Sequence, residues 1–338
     1  MIVASDPRLL AVVVRGSLVE SRHYGHVAVA DVKGRVRFSV GEADRGILPR
    51  SSLKPIQALA GVLNGTDQQF SFSQAELSVT CASHRAQPEH RAAVQRILKK
   101  VGAREQDLHC GPHEPSLPSV RNKLIRSGRK ATPIYNNCSG KHAGMLALAK
   151  VLGAPFQGYW ELNHPVQKEV RRVLREHCDI EARAELFSAV DGCAIPNYML
   201  TLRQLAMGFA RLASPAPGPL ADACRRLTAA IMAHPEMIGG RESRDTLLMQ
   251  YLPGLLISKS GAEGVQAIGL PHVGLGIAIK IEDGSDRALW PICLSLLKHL
   301  DLLEQPFPSG LEKMWRPAVQ NTRGETVGYI QQSIFESA

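Results

Sequence analysis

The sequence has no long apolar run, so no transmembrane span is expected. It also has no run of lysine and arginine, although the formal net charge is +9. The cations are scattered along amphipathic segments, and aromatic residues make up only 5% of the chain. That pattern reads as a solvated basic surface able to attract small anions, and it argues against nucleic acid as a partner. There is no internal repeat and no low-complexity tract; the proline-rich stretch "ASPAPGPL", residues 213–220, reads as a loop. The opening "MIVASDPRLLAVVVRG" lacks a cleavage-site pattern and carries Asp6 and Arg8 too early for a signal peptide. Cys81, Cys110, Cys138, Cys178, Cys193, Cys224 and Cys293 are odd in number and widely spaced. Reduced thiols in a cytoplasmic protein are therefore expected. Any special cysteine must then be a metal ligand, a nucleophile or a small buried hydrophobe.

What is present is an ordinary globular composition, 44% hydrophobic and 21% charged over 338 residues, enough for one or two domains. The first fifty residues read as strands. "LLAVVVR" is a continuous apolar run, and "HVAVADVKGRVRFSV" alternates around the turn residues "DVKG". "SSLKPIQALAGVLNG" reads as a helix capped by serine, tolerant of Pro55 in its first turn and stopped by Asn64 and Gly65. From about 67 to 250 the periodicity is helical, as in Val94, Ile97, Leu98 and Val101 before Gly102, and in Val166, Val170, Val173, Leu174 and Cys178. Strands return in "GVQAIGL" and "GLGIAIKIEDG", followed by a helix in "RALWPICLSLLKHL". Strands at both ends and helices between them predict an α+β architecture. The expected division is a region from residues 1–66 and 251–338 sharing one mixed sheet, and a mostly helical region, 67–250, completing a cleft.

"PRSSLKPIQ" places Ser51 three residues before Lys54, on one helix face. Alone, that spacing is commonly a helix cap beside a surface lysine. Two further pieces change its meaning. "TCASH" holds Ser83 in a polar turn, and "SKSGAEG" places Lys259 after the apolar "LPGLLIS". An SxxK, then a serine motif, then K-[ST]-G is the order found in acyl-serine enzymes of the penicillin-binding and class A β-lactamase type. Serine is a weak nucleophile until a neutral amine takes its proton, and two lysines converging on one cleft would depress each other's pKa. Ser51 at a helix N-terminus would gain from the dipole, and Ser83 with Lys259 could relay protons or attack itself.

"NNCSGKHAGMLALAKVLG", residues 136–153, opens a helix whose free N–H groups suit a carboxylate. The Walker spacing is absent, which argues against a nucleotide. Cys138 and Lys141 are three apart, and "DGCAIP" places Cys193 in a turn; two cysteines alone are ordinarily small buried residues rather than a zinc site. His84 and His113 are possible site residues, although a histidine is more often structural.

Together the blocks "RGSLVESRHYGHVAVAD", "RSSLKPIQ", "CASH", "NNCSGKHAGML", "DGC", "HPEMIGG…RDTLLM" and "SKSGAEG" run in order over residues 10–285. With them the chain resembles the rhizobial-type (class 3), zinc-containing bacterial L-asparaginases of the asparaginase II family; the last fifty residues resemble it weakly. The resemblance implies a serine-β-lactamase/penicillin-binding-protein-like fold, a homodimer, and hydrolysis of the L-asparagine side-chain amide to L-aspartate and ammonia. It implies two Ser–Lys tandems, Ser51 with Lys54 and Ser83 with Lys259. It implies Zn2+ on Cys138, Lys141 and Cys193, positioning substrate more than acting as a Lewis acid. Arg50, His84, Asn137, Ser139, Gly140, His142, Asp191 and Gly261 fall in the matched blocks as substrate-binding positions.

The chain departs from the family at two places. Arg85 and Gln87 follow "CASH", where small or acidic residues are usual. Ala194 and Ile195 follow "DGC", where glycine, asparagine or similar residues are common. Both bear on substrate preference. Two other readings of the motifs are a penicillin-recognising acyl-serine hydrolase and a non-catalytic amino-acid-binding protein on the same fold.

Overall fold

A computed structural model describes residues 6–304, 306–307 and 310–335. The strands in chain order are β1 (Arg8–Arg15), β2 (Leu18–Asp31), β3 (Val36–Val40), β4 (Gly46–Ile47), β5 (Ser188–Val190), β6 (Pro196–Tyr198) and β7 (Leu200–Thr201), followed by β8 (Ile257–Gly261), β9 (Val265–Leu270), β10 (Leu275–Ile281), β11 (Ala318–Gln320) and β12 (Thr326–Gln332). The main sheet has the order β11-β12-β1-β2-β10-β9-β8, with β3 paired to β2. It draws on both chain ends, as expected, and the α+β class is plain.

The sheet is not mixed. Each of its pairings is antiparallel, among the described residues. The reason is local: β1–β2, β2–β3, β8–β9 and β9–β10 are joined by short turns, and a tight turn can only reverse the chain. The "DVKG" turn closes as the sequence suggests, with Gly34 N–H donating to the Asp31 carbonyl. β2 is long enough to serve two partners, pairing β1 through Leu18–Gly25 and β10 through Gly25–Asp31. Its second half, His26–Asp31, is buried throughout, as befits a strand covered on both faces.

The helix Leu202–Ala213 packs on β2, β9 and β10. The helix Leu289–His299 packs on β12 and β1. The middle of the chain is built around the helix Ser139–Val151, ten of whose thirteen residues are buried. It packs against the helices Lys54–Leu63 and Pro88–Val101. One continuous apolar cluster joins these helices to the sheet.

The predicted serine cap is absent. A 3-10 turn, Arg50–Leu53, precedes the helix Lys54–Leu63, and neither start has a side-chain cap. Ser52 instead donates to the Pro49 carbonyl, because Pro55 already removes one of the N–H groups a cap would satisfy. The stop at Asn64 and Gly65 is as expected, with Gly65 at φ +74°. No described helix is long and apolar enough to cross a membrane.

Candidate active site

Three segments converge on Lys54. Its side chain is 1% exposed, so it runs inward from the head of its helix instead of lying on the surface. Nζ donates to the Ala82 carbonyl at 2.6 Å and to Ser83 Oγ at 2.9 Å. Ser83 is held in turn by its own N–H, which donates to the Ile238 carbonyl. This corrects the expected pairing. The Lys54 amine bonds to Ser83, while Ser51 meets Lys54 through the backbone, the Lys54 N–H donating to the Ser51 carbonyl; among the described residues no side-chain hydrogen bond joins Ser51 to Lys54 or Ser83 to Lys259. The long lysine stem reaches past its own helix face to the neighbouring "CASH" turn. Ser51 Oγ is left half-buried and without an internal partner among the described residues.

Lys259 is the second buried amine, also 1% exposed. It sits in β8, and Nζ donates to the Ser260 carbonyl at 2.6 Å. Burial pushes its pKa down, to about 8; Asp245 opposes the shift and Lys54 adds to it. Asp245 lies 3.8 Å away. Its carboxyl stays below the usual carboxylate range: burial works against that, but Lys259 and hydrogen bonds from Gln266 and Ser260 outweigh it. Asp245 is the site residue that sequence reasoning missed. The available signal was Ser243 as a helix cap two residues earlier, within the block "RDTLLM".

β8 lies against the turn Arg50–Leu53 because Gly261 has no side chain. A Cβ there would run into the Pro49 carbonyl and come within 3.3 Å of Ser52 N. Gly261 is thus the contact that sets the turn carrying Ser51 beside β8. The pairing of β4 with β7 brings the segment before Arg50 to the segment after Cys193. The hairpin β5–β6 presents the turn between Asp191 and Ile195. Arg50 (φ +55°) donates to Asp191 Oδ1 at 2.9 Å across that junction. Ala194 holds the turn at φ +67°, the conformation that glycine or asparagine adopts most easily, and Ile195 is core.

The third corner is made of sulfur and nitrogen. Lys141, buried, has Nζ 2.9 Å from Cys193 Sγ. Cys138 donates to Asn137 Oδ1 at 3.1 Å. Of the two thiols Cys138 is the more acidic. Hydrogen bonding from Cys193, with the Lys54 and Lys141 ammoniums nearby, holds it well below the ordinary thiol range despite burial. Cys193 is raised by the same bond and by burial. Burial opposes the charge on Lys141, but the two thiols outweigh it and its pKa is raised. His142 accepts from the Tyr159 hydroxyl at Nδ1, and its buried Nε2 has no partner among the described residues.

Several of the expected substrate-binding residues are buried and bonded within the protein. His84 is 1% exposed and both ring nitrogens are used: Nδ1 accepts from Ala86 N–H, so Nε2 carries the proton donated to Ser139 Oγ. Ser139 passes its own proton to the Ile134 carbonyl and is fully buried. Gly140 lets the helix head abut the backbone of Val79, which a Cβ would strike. His142 is fully buried. Asn137, Asp191 and Arg50 stay partly exposed at the cleft. His113 is exposed on the loop before the helix Pro118–Arg126, with no hydrogen bond among the described residues. Arg85 packs its stem against Gly240, and Gln87 Oε1 accepts from Arg241 N–H, so both hold the loop at 239–243.

The family model described as L-asparaginase II matches residues 11–332. The chain belongs to that family. No curated protein matches it significantly. Among solved structures it is similar to Mglu in its glutamate form, at 14% identity and a TM-score of 0.38, covering 82% of this chain and 61% of that one. It is similar to a putative β-lactamase from Bacteroides dorei, at 10% identity and a TM-score of 0.40 over 77% of this chain and 87% of that one. It is also similar to a β-lactamase from Mycobacterium bovis, at 14% identity and a TM-score of 0.33 over 81% and 94%. The chain thus spans about three fifths of the length of Mglu. Scores this low carry no assignment; the architecture rests on the strands and helices described above.

Proposed function

We propose that this family member hydrolyses the side-chain amide of L-asparagine to L-aspartate and ammonia, through serines and lysines in one cleft. Family membership supports an amide substrate. The observation that carries the residue-level reading is the hydrogen bond from buried Lys54 to Ser83 Oγ. One amine is thereby shared between a bonded serine and a second serine one helical turn before it. Ser51 is the nucleophile in this reading. Its hydroxyl is the one without an internal partner, and it precedes the helix Lys54–Leu63, whose N-terminal end favours developing negative charge.

Ser51 Oγ attacks the amide carbon while its proton passes to the amine cluster of Lys54 and Lys259, of which Lys259, pushed down to about 8, is the one able to start neutral. Lys54 returns a proton through Ser83 to the amide nitrogen, the C–N bond breaks and ammonia leaves. Water then cleaves the acyl-serine by the reverse relay, restoring Ser51 and releasing aspartate. Lys259, titrating near 8, is the second amine available to this relay. Arg50 and the Asn137 edge are the polar groups at the mouth for the substrate's charged end.

The thiol corner fits zinc by its donor set, two thiols and an amine brought together and buried, with the orphaned His142 Nε2 alongside. No group of three His, Cys, Asp or Glu suited to a metal occurs among the described residues, and it is the family resemblance that gives Lys141 as the third ligand. Cys138, Lys141 and Cys193 would hold the ion, and its fixed positive charge would orient the substrate. A homodimeric assembly and a cytoplasmic location belong to the same proposal.

The test is ammonia release from L-asparagine and L-glutamine by the wild type, Ser51→Ala and Ser83→Ala, with metal content measured on the same samples. Release from asparagine that vanishes in Ser51→Ala is expected. Wild-type turnover by Ser51→Ala overturns the nucleophile assignment. No release from either amide overturns the function.

A further inference from the structure

We propose that Asp245 is a positioning residue for Lys259, fixing the direction of its amine and holding its proton. The proposal deepens the reading of the cleft given above and rests on it.

β8 ends the sheet, so its outer edge has no neighbouring strand. Such an edge ordinarily leaves N–H and C=O groups open to an added chain. Here the Ser260 N–H donates to Asp245 Oδ2 at 2.9 Å, and the Ser260 carbonyl accepts from Lys259 Nζ at 2.6 Å. The edge is closed by the two side chains under discussion. Asp245 Oδ1 accepts from Ser258 Oγ at 2.8 Å and from Gln266 Nε2 at 3.0 Å, and Oδ2 also accepts from Ser260 Oγ at 2.7 Å. The carboxylate therefore grips the residue on each side of Lys259 and reaches across to β9. A helix could be docked on a strand with one such bond. Three bonds to the residues on either side of Lys259 and one to β9 fix the carboxylate 3.8 Å from the Lys259 amine.

Charge acts in the same direction as these bonds. The groups facing Lys259 are Asp245 from the helix Arg244–Tyr251, Lys54 from its helix, Cys81 beyond the helix Gln74–Val79, and Cys138 at the head of Ser139–Val151. Asp245 is the one carboxylate among them. It is 1% exposed and stays charged, so it opposes both burial and Lys54.

The experiment is an NMR titration of 13Cε-labelled lysine in the full chain, wild type against Asp245→Asn, with the Lys259 signal assigned through Lys259→Arg. Steady-state kinetics are followed over pH on the same proteins. Asn keeps the shape and removes the charge. The Lys259 midpoint is expected to fall by about one unit or more. The limb of the pH–rate profile that follows Lys259 should shift down with it, and kcat should fall more than KM rises. An unmoved midpoint in folded Asp245→Asn overturns the proposal, whatever happens to the rate. Should that variant fail to fold, the wild type decides: the Asp245 carboxyl 13C shift must move as Lys259 loses its proton, and a flat response overturns the proposal. A wild type that releases ammonia from no amide would refute the function, yet the lysine titration would still decide the coupling.

Discussion

The two buried-lysine corners of this cleft use the same side chain in opposite ways. Lys141 faces two cysteines and its pKa is raised. Lys259 faces burial, Asp245 and a second ammonium, and its pKa is lowered to about 8. Burial costs both the same kind of energy, so the neighbours decide the sign. A lysine whose pKa is raised beside two thiols suits a fixed charge, and it must shed its proton before it can hold a metal. A lysine near 8 suits proton traffic. The cleft is thus divided into a corner that holds and a corner that moves protons, with Lys54 between them.

The sharpest way to break this division is at the serines. Ser51→Ala should lower kcat by at least about a thousandfold, as loss of a nucleophile does. Ser83→Ala removes a relay partner of Lys54 and should cost about a hundredfold. Equal losses from the two would mean that neither serine is the sole nucleophile. A larger loss from Ser83→Ala would exchange their roles. Ammonia release and an acyl-enzyme mass measurement check both.

The holding corner is tested by Cys138→Ser and Cys193→Ser. Each should lower bound zinc measured by elemental analysis. Each should also cost roughly ten- to hundredfold in kcat/KM, the size usual when support for a metal site is lost. The loss should fall on KM more than on kcat, because the proposed role is orientation. A metal-free wild type with full activity would remove zinc from the account and leave Lys141 as the fixed charge.

Much of this was legible in the sequence, and the part that was not has a common cause. The α+β class, the β2–β3 hairpin and the helix stop at Gly65 follow from local periodicity and turn chemistry, and they hold. Ser51, Lys54, Ser83 and Lys259 were singled out, but their partners were not. Spacing on one helix suggested Ser51 with Lys54, while the bond observed runs between segments 29 residues apart. Asp245 escaped notice because its meaning lies in what β8 and β9 place around it. β11 and β12, the strands that complete the sheet, are not individually evident from the sequence either; β12 pairs with β11 and with β1 from the other end of the chain, and those pairings distinguish "TVGYIQQ" from a loop. His84 and Ser139 lie in the right blocks, yet a motif does not tell what a side chain bonds to; His84, Lys54 and Lys259 are equally buried, and their hydrogen-bond partners tell them apart.

The proton-moving corner can be sharpened by stability. A lysine that titrates near 8 when folded and near 10.5 when unfolded binds fewer protons in the native state between those values. The unfolded chain binds more, so stability should rise with pH across that window and show no Lys259 contribution to the slope below it. The full rise is on the order of 3 kcal/mol. Lys259→Met should flatten it, as read by denaturant unfolding at a series of pH values. A wild-type slope of the opposite sign in that window, after subtraction of the variant, would mean that Asp245 outweighs burial and that Lys259 keeps its proton.

The smallest effect expected is the most local. Gly261→Ala places a methyl group against the Pro49 carbonyl, in the contact that seats Ser51 beside β8. Overpacking of this kind costs about 1–3 kcal/mol, seen as a lower unfolding midpoint. Two rigid backbones meet there, so the strain can be relieved only by parting the turn Arg50–Leu53 from β8. That movement carries Ser51 away from Lys259 but leaves the Lys141–Cys193 contact untouched. Turnover should therefore fall while zinc content holds. A variant that loses zinc together with activity would show that the two corners move as one body, and the division of labour between them would have to be given up.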